Sequence, residues 1–224
     1  MSLHWFVNLL KNQGALLEKT LTETLLGFSW DKYFPKTFGQ NNWLVRRSSF
    51  EECCTFTEFH YKEVILDGRS HSPFLWDDQD SRRTSYYKRC GDFFAFEADR
   101  EVFGVFCGNC ADWSTYYLRH TLLKKKFQGT GFYQAFIKYF LELLGSEGVP
   151  RIEADIHPGN HRSIHVCLKA GFIIKGMSLS ERWGAVLHLI KYFDRNRQEV
   201  FLNQFCHGTW SVTDSPEPSG QIFN

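Results

Sequence analysis

Leu122 to Leu144, LLKKKFQGTGFYQAFIKYFLELL, constrain the fold of this chain more than any other stretch. The first residues read as the end of a strand, and Gln128-Gly129-Thr130-Gly131 as a glycine-bearing turn. Phe132, Tyr133, Phe136, Ile137, Phe140, Leu141 and Leu144 then recur at the i, i+1, i+4, i+5 spacing of a helix that buries one stripe. A strand that passes through such a turn into a helix start gathers free backbone N–H groups and the positive end of a helix dipole at one point. That point suits a phosphate group.

The chain is large enough to house such a unit. Its 224 residues, 43% hydrophobic and 17% aromatic, can bury a substantial core as one large domain or as a domain with an extension. With 26 basic and 25 acidic side chains the net charge is +1, which argues against bulk electrostatic attraction to nucleic acid or an anionic membrane. The N-terminus lacks the apolar run of a signal peptide, and no stretch approaches the roughly 18 apolar residues of a membrane span. A cytoplasmic protein without nucleic-acid or membrane partners is therefore expected. Seven cysteines, an odd number without framework spacing, fit reduced thiols. Cys107-x-x-Cys110 has no second Cys or His pair at matching spacing, so no metal site is expected.

Along the chain, residues 4–27 carry two short helical patterns broken at Gly14, and Pro35 to Asn42 read as a linker. Trp43 to Arg47 read as a first strand, and Ser48 or Ser49 caps a helix from Phe50. Asp67 to Tyr86 turn polar without a sustained period and read as a long surface loop, of the kind that gates substrates. Asp92 to Ala98, Glu101 to Cys107 and Tyr116 to Leu123 form an antiparallel meander that leads into the opening motif.

After the helix, Arg151 to His157 form a strand on which Glu153, Asp155 and His157 share one face and Ile152, Ala154 and Ile156 the other. A strand–helix–strand unit favours parallel pairing with both faces buried, so three ionisable residues on one face mark either a wet cleft or a solvated edge. A helix from Asn160 ends at Gly171, two further strands span Phe172 to Leu179 and Ala185 to Phe193, and Asp194 to Phe205 read as a terminal helix. The expected division is an N-terminal helical extension and linker over 1–42, the main domain over 43–205 and a flexible tail over 206–224.

Two motifs in this order resemble the GNAT superfamily of acyl-CoA-dependent N-acyltransferases, over about Trp43 to Phe193. The family's phosphate-cradling signature, Gln/Arg-x-x-Gly-x-Gly/Ala, falls on Gln128 to Tyr133, with Tyr133 standing where a small residue is usual. Asn160-His161-Arg162-Ser163 through Gly171-Phe172 is similar to the family's Asn-x-x-Ser/Ala helix. The resemblance implies an α/β fold of the α+β type: a mixed, mostly antiparallel sheet of about seven strands flanked by helices. The sheet would splay between its fourth and fifth strands, with the acetyl-CoA thioester in the opening.

The resemblance also implies site residues. Gln128, Gly129, Thr130, Gly131, Phe132 and Tyr133 would cradle the pyrophosphate beside Lys124, Lys125 and Lys126, which read equally well as solvated lysines. Backbone groups of Leu122 and Leu123 would hold the pantetheine arm, the Leu123 N–H would polarise the thioester carbonyl, and Asn160 with Ser163 would close the other side; Asn160 also reads as a plain helix cap. The acceptor amine must lose a proton, its ammonium having a pKa of about 10.4. Asp155 matches the strand position of the base in protein N-terminal alanine acetyltransferases, with Glu153 and His157 as alternatives.

Cys167 stands where the family often places the tyrosine that protonates the leaving thiolate, though a buried helix cysteine is more often packing. Tyr116, Tyr117 and Arg119 are alternative acid or substrate contacts, and Tyr117 is carried with Asp155 and Cys167 as a catalytic candidate. The expected activity is N-acetyl transfer from acetyl-CoA to a primary amine of a small molecule or protein by direct attack, with a homodimer possible. The alternatives are a catalytically idle CoA-binding or protein-interaction module on the same fold, or a nucleotide-binding α/β domain with mostly parallel strands.

Overall fold

One sheet organises the computed structural model of the chain, which describes residues 19–39, 41, 43–64, 81–180 and 184–205. Among the described residues its strands are β1 (Lys36–Phe38), β2 (Trp43–Arg47), β3 (Asp92–Ala98), β4 (Glu101–Cys110), β5 (Thr115–Leu123), β6 (Arg151–Ile156), β7 (Ile173–Ser180) and β8 (Gly184–Tyr192). They lie in the order β1-β2-β3-β4-β5-β6-β8-β7. Every neighbouring pair is antiparallel except β5 and β6. A mostly parallel nucleotide-binding sheet is thereby excluded.

Local chemistry explains the order. The β3–β4 turn, Asp99-Arg100, places both residues at positive φ, 51° and 68°, the geometry of a two-residue hairpin whose twist matches its strands. Between β5 and β6 the chain crosses over through α4 (Phe132–Ser146), so those two strands run parallel. The other described helices are α1 (Leu21–Leu26), α2 (Phe50–Val64), α3 (Ser81–Cys90), α5 (His161–Lys169) and α6 (Arg195–Phe205). The α1 helix opens with a capping box between Thr20 and Glu23, and the Ser49 hydroxyl accepts from the Glu52 N–H at the start of α2.

Three expectations need correction. Pro35 to Asn42 do not simply link: β1 pairs with β2, with Phe38 opposite Trp43, because Phe38 completes the aromatic core. The sheet therefore has eight described strands, and the splay falls between the fifth and sixth. The polar run 67–86 is partly helical, since α3 starts at Ser81; residues 65–80 lie outside the described residues, as do 1–18 and the tail 206–224.

The stripe read from α4 packs on one face of the sheet. Phe132, Phe136 and Phe140 meet Phe94, Phe96, Phe103 and Phe106, with the ring centroids of the contacting pairs 4.9–5.8 Å apart. Trp30, 1% exposed, stacks on Phe140 at 5.4 Å, so the stretch before β1 belongs to the same core. Rings of this size bury the most apolar area per residue, and edge-to-face geometry adds to it. A smaller cluster on the opposite face joins Cys53 and Phe56 of α2 to Val105 and Leu122.

Candidate active site

The sheet forks where β5 and β6 part. Their pairing runs from Thr115 opposite Arg151 to Leu118 opposite Ala154 and stops there. Arg119 to Leu123 continue beside β4 alone, and β6 turns to β8. At the fork β5 carries a bulge: Cys107 faces His120 while Gly108 faces Leu118, which leaves Arg119 as the extra residue. Bulges of this kind re-aim side chains next to functional sites.

The register decides which backbone groups enter the fork. Lys124 N–H donates to Phe103 O at 2.8 Å, so Phe103 and Lys124 form a hydrogen-bonded pair of the β4–β5 ladder. By the alternation of antiparallel ladders, Leu122 with Val105 and His120 with Cys107 are the next such pairs. Thr121 and Leu123 therefore direct their N–H and C=O toward the gap, while the backbone of Leu122 is spent on β4. Leu123 thus lies on the gap side, Leu122 contributes a buried side chain to the cluster under α2, and Thr121, which the motif alone did not reveal, lies on the gap side as well.

The turn at the end of β5 is open. Gly129 and Gly131 adopt φ of 75° and 84°, and nothing lies within 4 Å of where a Cβ would stand on either. A residue with a Cβ would be strained there, and the open space leaves room for an anion against the helix start. Gln128 bridges the mouth: its Nε2 donates to Leu123 O at 3.1 Å, and Arg162 of α5 donates to its Oε1 at 3.2 Å. Arg162, a basic side chain inside the second motif, is thus brought to the turn, whereas the ammonium of Lys124 is committed to Glu101. Thr130 caps locally, donating to Phe127 O.

On the far side, the Asn160 side chain accepts from Ser163 N–H at 3.2 Å, so its role as a helix cap is present and its amide N–H groups stay outward. Tyr133, the residue that departs from the motif, is half-buried, accepts from the Thr121 hydroxyl at 3.4 Å and lies beside Cys167. Burial pushes the Cys167 thiol up to about 11 and the Tyr133 phenol well above its usual range. Tyr133 stands on α4 and Cys167 on α5, both in contact with the main core.

The polar face read from β6 carries a linked set of side chains. Asp155 Oδ1 accepts from His188 Nδ1 at 2.6 Å, and His188 Nε2 meets Ser178 Oγ at 2.7 Å. The three residues stand on β6, β8 and β7, and Asp155 is the register partner of His188. The Tyr117 hydroxyl faces the same carboxylate: burial first, then Asp155, push its phenol far above the ordinary value. His188 was hidden within an apolar strand, and only the pairing of β8 with β6 brings it to Asp155. Glu153, by contrast, is paired with Lys175 at 2.6 Å, and the His157 ring accepts from Gly159 N–H in the following turn.

Tyr116 is removed from the list. Its hydroxyl donates to the buried Asp92 carboxylate at 3.0 Å on the opposite face of β5, where Thr22 Oγ1 and Trp30 Nε1 also donate to Asp92, at 2.6 and 2.7 Å. His120, inside the fork, has its pKa lowered to about 4 by burial, and its Nε2 is the one buried side-chain nitrogen or oxygen without a hydrogen-bond partner among the described residues.

A family model described as acetyltransferase (GNAT) family matches residues 56–172, just over half of the chain. The chain belongs to the GNAT family. It is thus an acyl-CoA-dependent acetyltransferase, of the N-acetyltransferase type in general. Solved structures agree in fold. The ribosomal-protein-S5-alanine acetyltransferase from Vibrio fischeri superposes with a TM-score of 0.54 at 13% identity, covering 71% of this chain and 98% of that one. A ribosomal L7/L12 alpha-N-protein acetyltransferase in complex with coenzyme A gives 0.53 at 15% identity, over 68% and 94%. The IAA acetyltransferase from Bacillus cereus gives 0.51 at 13%, over 67% and 99%. No curated protein matches the chain in sequence. In this GNAT chain no described helix is long and apolar enough to cross a membrane.

Proposed function

We propose that this GNAT chain transfers the acetyl group of acetyl-CoA to a primary amine by direct attack within a ternary complex. One observation carries the reading: the fork between β5 and β6 leaves the backbone of Thr121 and Leu123 without a partner strand on the gap side, on an edge that ends at an open, glycine-bearing helix start. An extended amide-bearing arm fits such an edge as an added strand, and its pyrophosphate fits the turn from Gln128 to Tyr133, with Arg162 beside it and Asn160 and Ser163 across the gap. Bound acetyl-CoA supplies the thioester carbon. Of the N–H groups of Thr121 and Leu123, about 7 Å apart along the strand, one donates to its carbonyl oxygen, worth about 2.7–4 kcal/mol in such a role, and the other to the pantetheine arm.

Proton transfer falls to the Asp155–His188 pair. A lone carboxylate is a poor base for an ammonium, and the imidazole hydrogen-bonded to Asp155 adds a second proton-accepting group beside it. Tyr117, facing Asp155, and Cys167 are the two candidate acids for the departing thiolate; Cys167, at about 11, is the stronger acid, because burial and Asp155 push the Tyr117 phenol further up, while Tyr117 is the one beside the proposed base.

Isothermal titration with acetyl-CoA followed by thiol release over a panel of amines tests the proposal. Binding with turnover on at least one amine is the expected result. Binding without turnover on any amine would indicate an idle CoA-binding module, a reading that Tyr133 and Cys167 would then explain. Absence of binding would overturn the reading of the fork.

A further inference from the structure

We infer that the acceptor site has two poles and takes an amine that also carries a carboxylate, with Arg119 as the anion pole. The inference rests on the proposed function above and names its acceptor class. Arg119 is the bulged residue of β5 at the fork, on the same face as Tyr117. Its guanidinium packs over the Tyr117 ring at 5.5 Å and over the Tyr87 ring of α3 at 5.1 Å, and its Nε donates to Asn109 Oδ1. Those contacts fix the plane and leave both Nη groups without a carboxylate or any other hydrogen-bond partner among the described residues. A clamped guanidinium with its terminal fork open is pre-organised for bidentate binding of a carboxylate.

The second pole lies across one tyrosine. The hydroxyl of Tyr117 faces Asp155, so the ring that carries the arginine on one side ends at the carboxylate on the other. Asp155 is held by His188, and the charged neighbours on that face, Glu153 and Lys175, neutralise each other. Anion and amine of one acceptor can therefore be held at once, with the amine at the Asp155 end beside the fork. A polyamine, with a second cation in place of the carboxylate, would meet Arg119 unfavourably.

Two pairs of acceptors that differ only in charge test the inference, one pair for each source of such an amine. The first is 4-aminobutyrate against 4-aminobutyramide; the second is a pair of peptide amides whose second residue is glutamate or glutamine. With the full chain and saturating acetyl-CoA, the anionic member of at least one pair is expected to show kcat/KM about tenfold or more above its neutral partner, expressed in KM. The arm in which this occurs identifies a small-molecule or a peptide acceptor.

Arg119→Gln is expected to bring that ratio down to about one, and Arg119→Lys to restore only part of it. An arginine that merely ties α3 to the sheet would lower both members equally together with the melting temperature, and that result would overturn the inference. So would a wild-type ratio near one in both arms, or a preference for spermidine over every anionic acceptor. If no acceptor turns over, the two-pole site is likewise rejected, and the acetyl-CoA titration decides separately whether the fork binds its co-substrate.

Discussion

Tyr116 and Tyr117 are neighbours on β5, and each of them meets an aspartate. Tyr116 points to the α4 face, where its hydroxyl and two other donors saturate Asp92 in a wall of aromatic rings. Tyr117 points to the other face, where Asp155 is 36% exposed and is linked to His188 and Ser178. The pleat alone separates the two pairs. A carboxylate sealed under three fixed donors can only hold elements together, here α1 and the Trp30 turn to β3 and β5. A carboxylate at a fork, linked to an imidazole and open to solvent, can exchange protons with a substrate. Burial, and not residue type, divides architecture from chemistry.

The comparison breaks most visibly at Asp155. Asp155→Asn is expected to lower kcat by about 10²–10⁴-fold while leaving acetyl-CoA affinity and thermal stability in place. Pre-steady-state thiol release and calorimetry read both. An equal loss of affinity would mean that the residue shapes the co-substrate site and takes no part in proton transfer.

At Asp92 the expected effect is on folding and depends on pH. Desolvation raises its pKa to about 6, against the hydrogen bonds that lower it. The folded chain therefore holds a proton that the unfolded chain has released between about pH 4 and 6, so this group contributes stability below that window and loses it as pH rises through it. The difference is on the order of 3 kcal/mol across the window. Urea unfolding at stepped pH should show this fall in the wild type and lose it in Asp92→Asn; parallel curves for the two proteins would contradict the assignment.

The two tyrosines give a smaller and crossed effect. Tyr116→Phe removes one of the donors to a buried carboxylate and should cost about 1–2 kcal/mol of stability. Tyr117→Phe should change stability by less than about 0.5 kcal/mol and show itself in a lower kcat at unchanged acetyl-CoA affinity. If both variants lost stability alike, the distinction between the faces would fall.

Much of this was legible before folding. The helical stripe from Phe132 to Leu144, the meander from Asp92 to Leu123 and the polar face of β6 are local patterns, and a period of 3.6 or 2 survives into structure. What stayed hidden depended on register or long-range packing. Lys36 to Phe38 gave too short a run to signal a strand until β2 was there to pair with it. His188 reached Asp155 only through the β6–β8 ladder, and the bulge that frees Arg119 is a mismatch between two strands that neither shows alone. Motif position likewise pointed to Leu122 for the gap, whereas the hydrogen-bond alternation selects Thr121.

The smallest expected difference separates two basic residues at the phosphate turn. Composition favoured the lysine run, yet Lys124 is engaged by Glu101 at the start of β4, and Arg162 reaches the turn through Gln128. A guanidinium already hydrogen-bonded at the mouth of the fork can shift to a phosphate with little loss of side-chain freedom, whereas the lysine would first have to give up its ion pair. Arg162→Ala is accordingly expected to raise the acetyl-CoA Kd about 3–10-fold, and Lys124→Ala by less than about twofold. Titration at two salt concentrations checks this, because the arginine's share should shrink as screening rises. A larger effect from Lys124 would move the pyrophosphate toward the start of β4 and away from the α5 side of the fork.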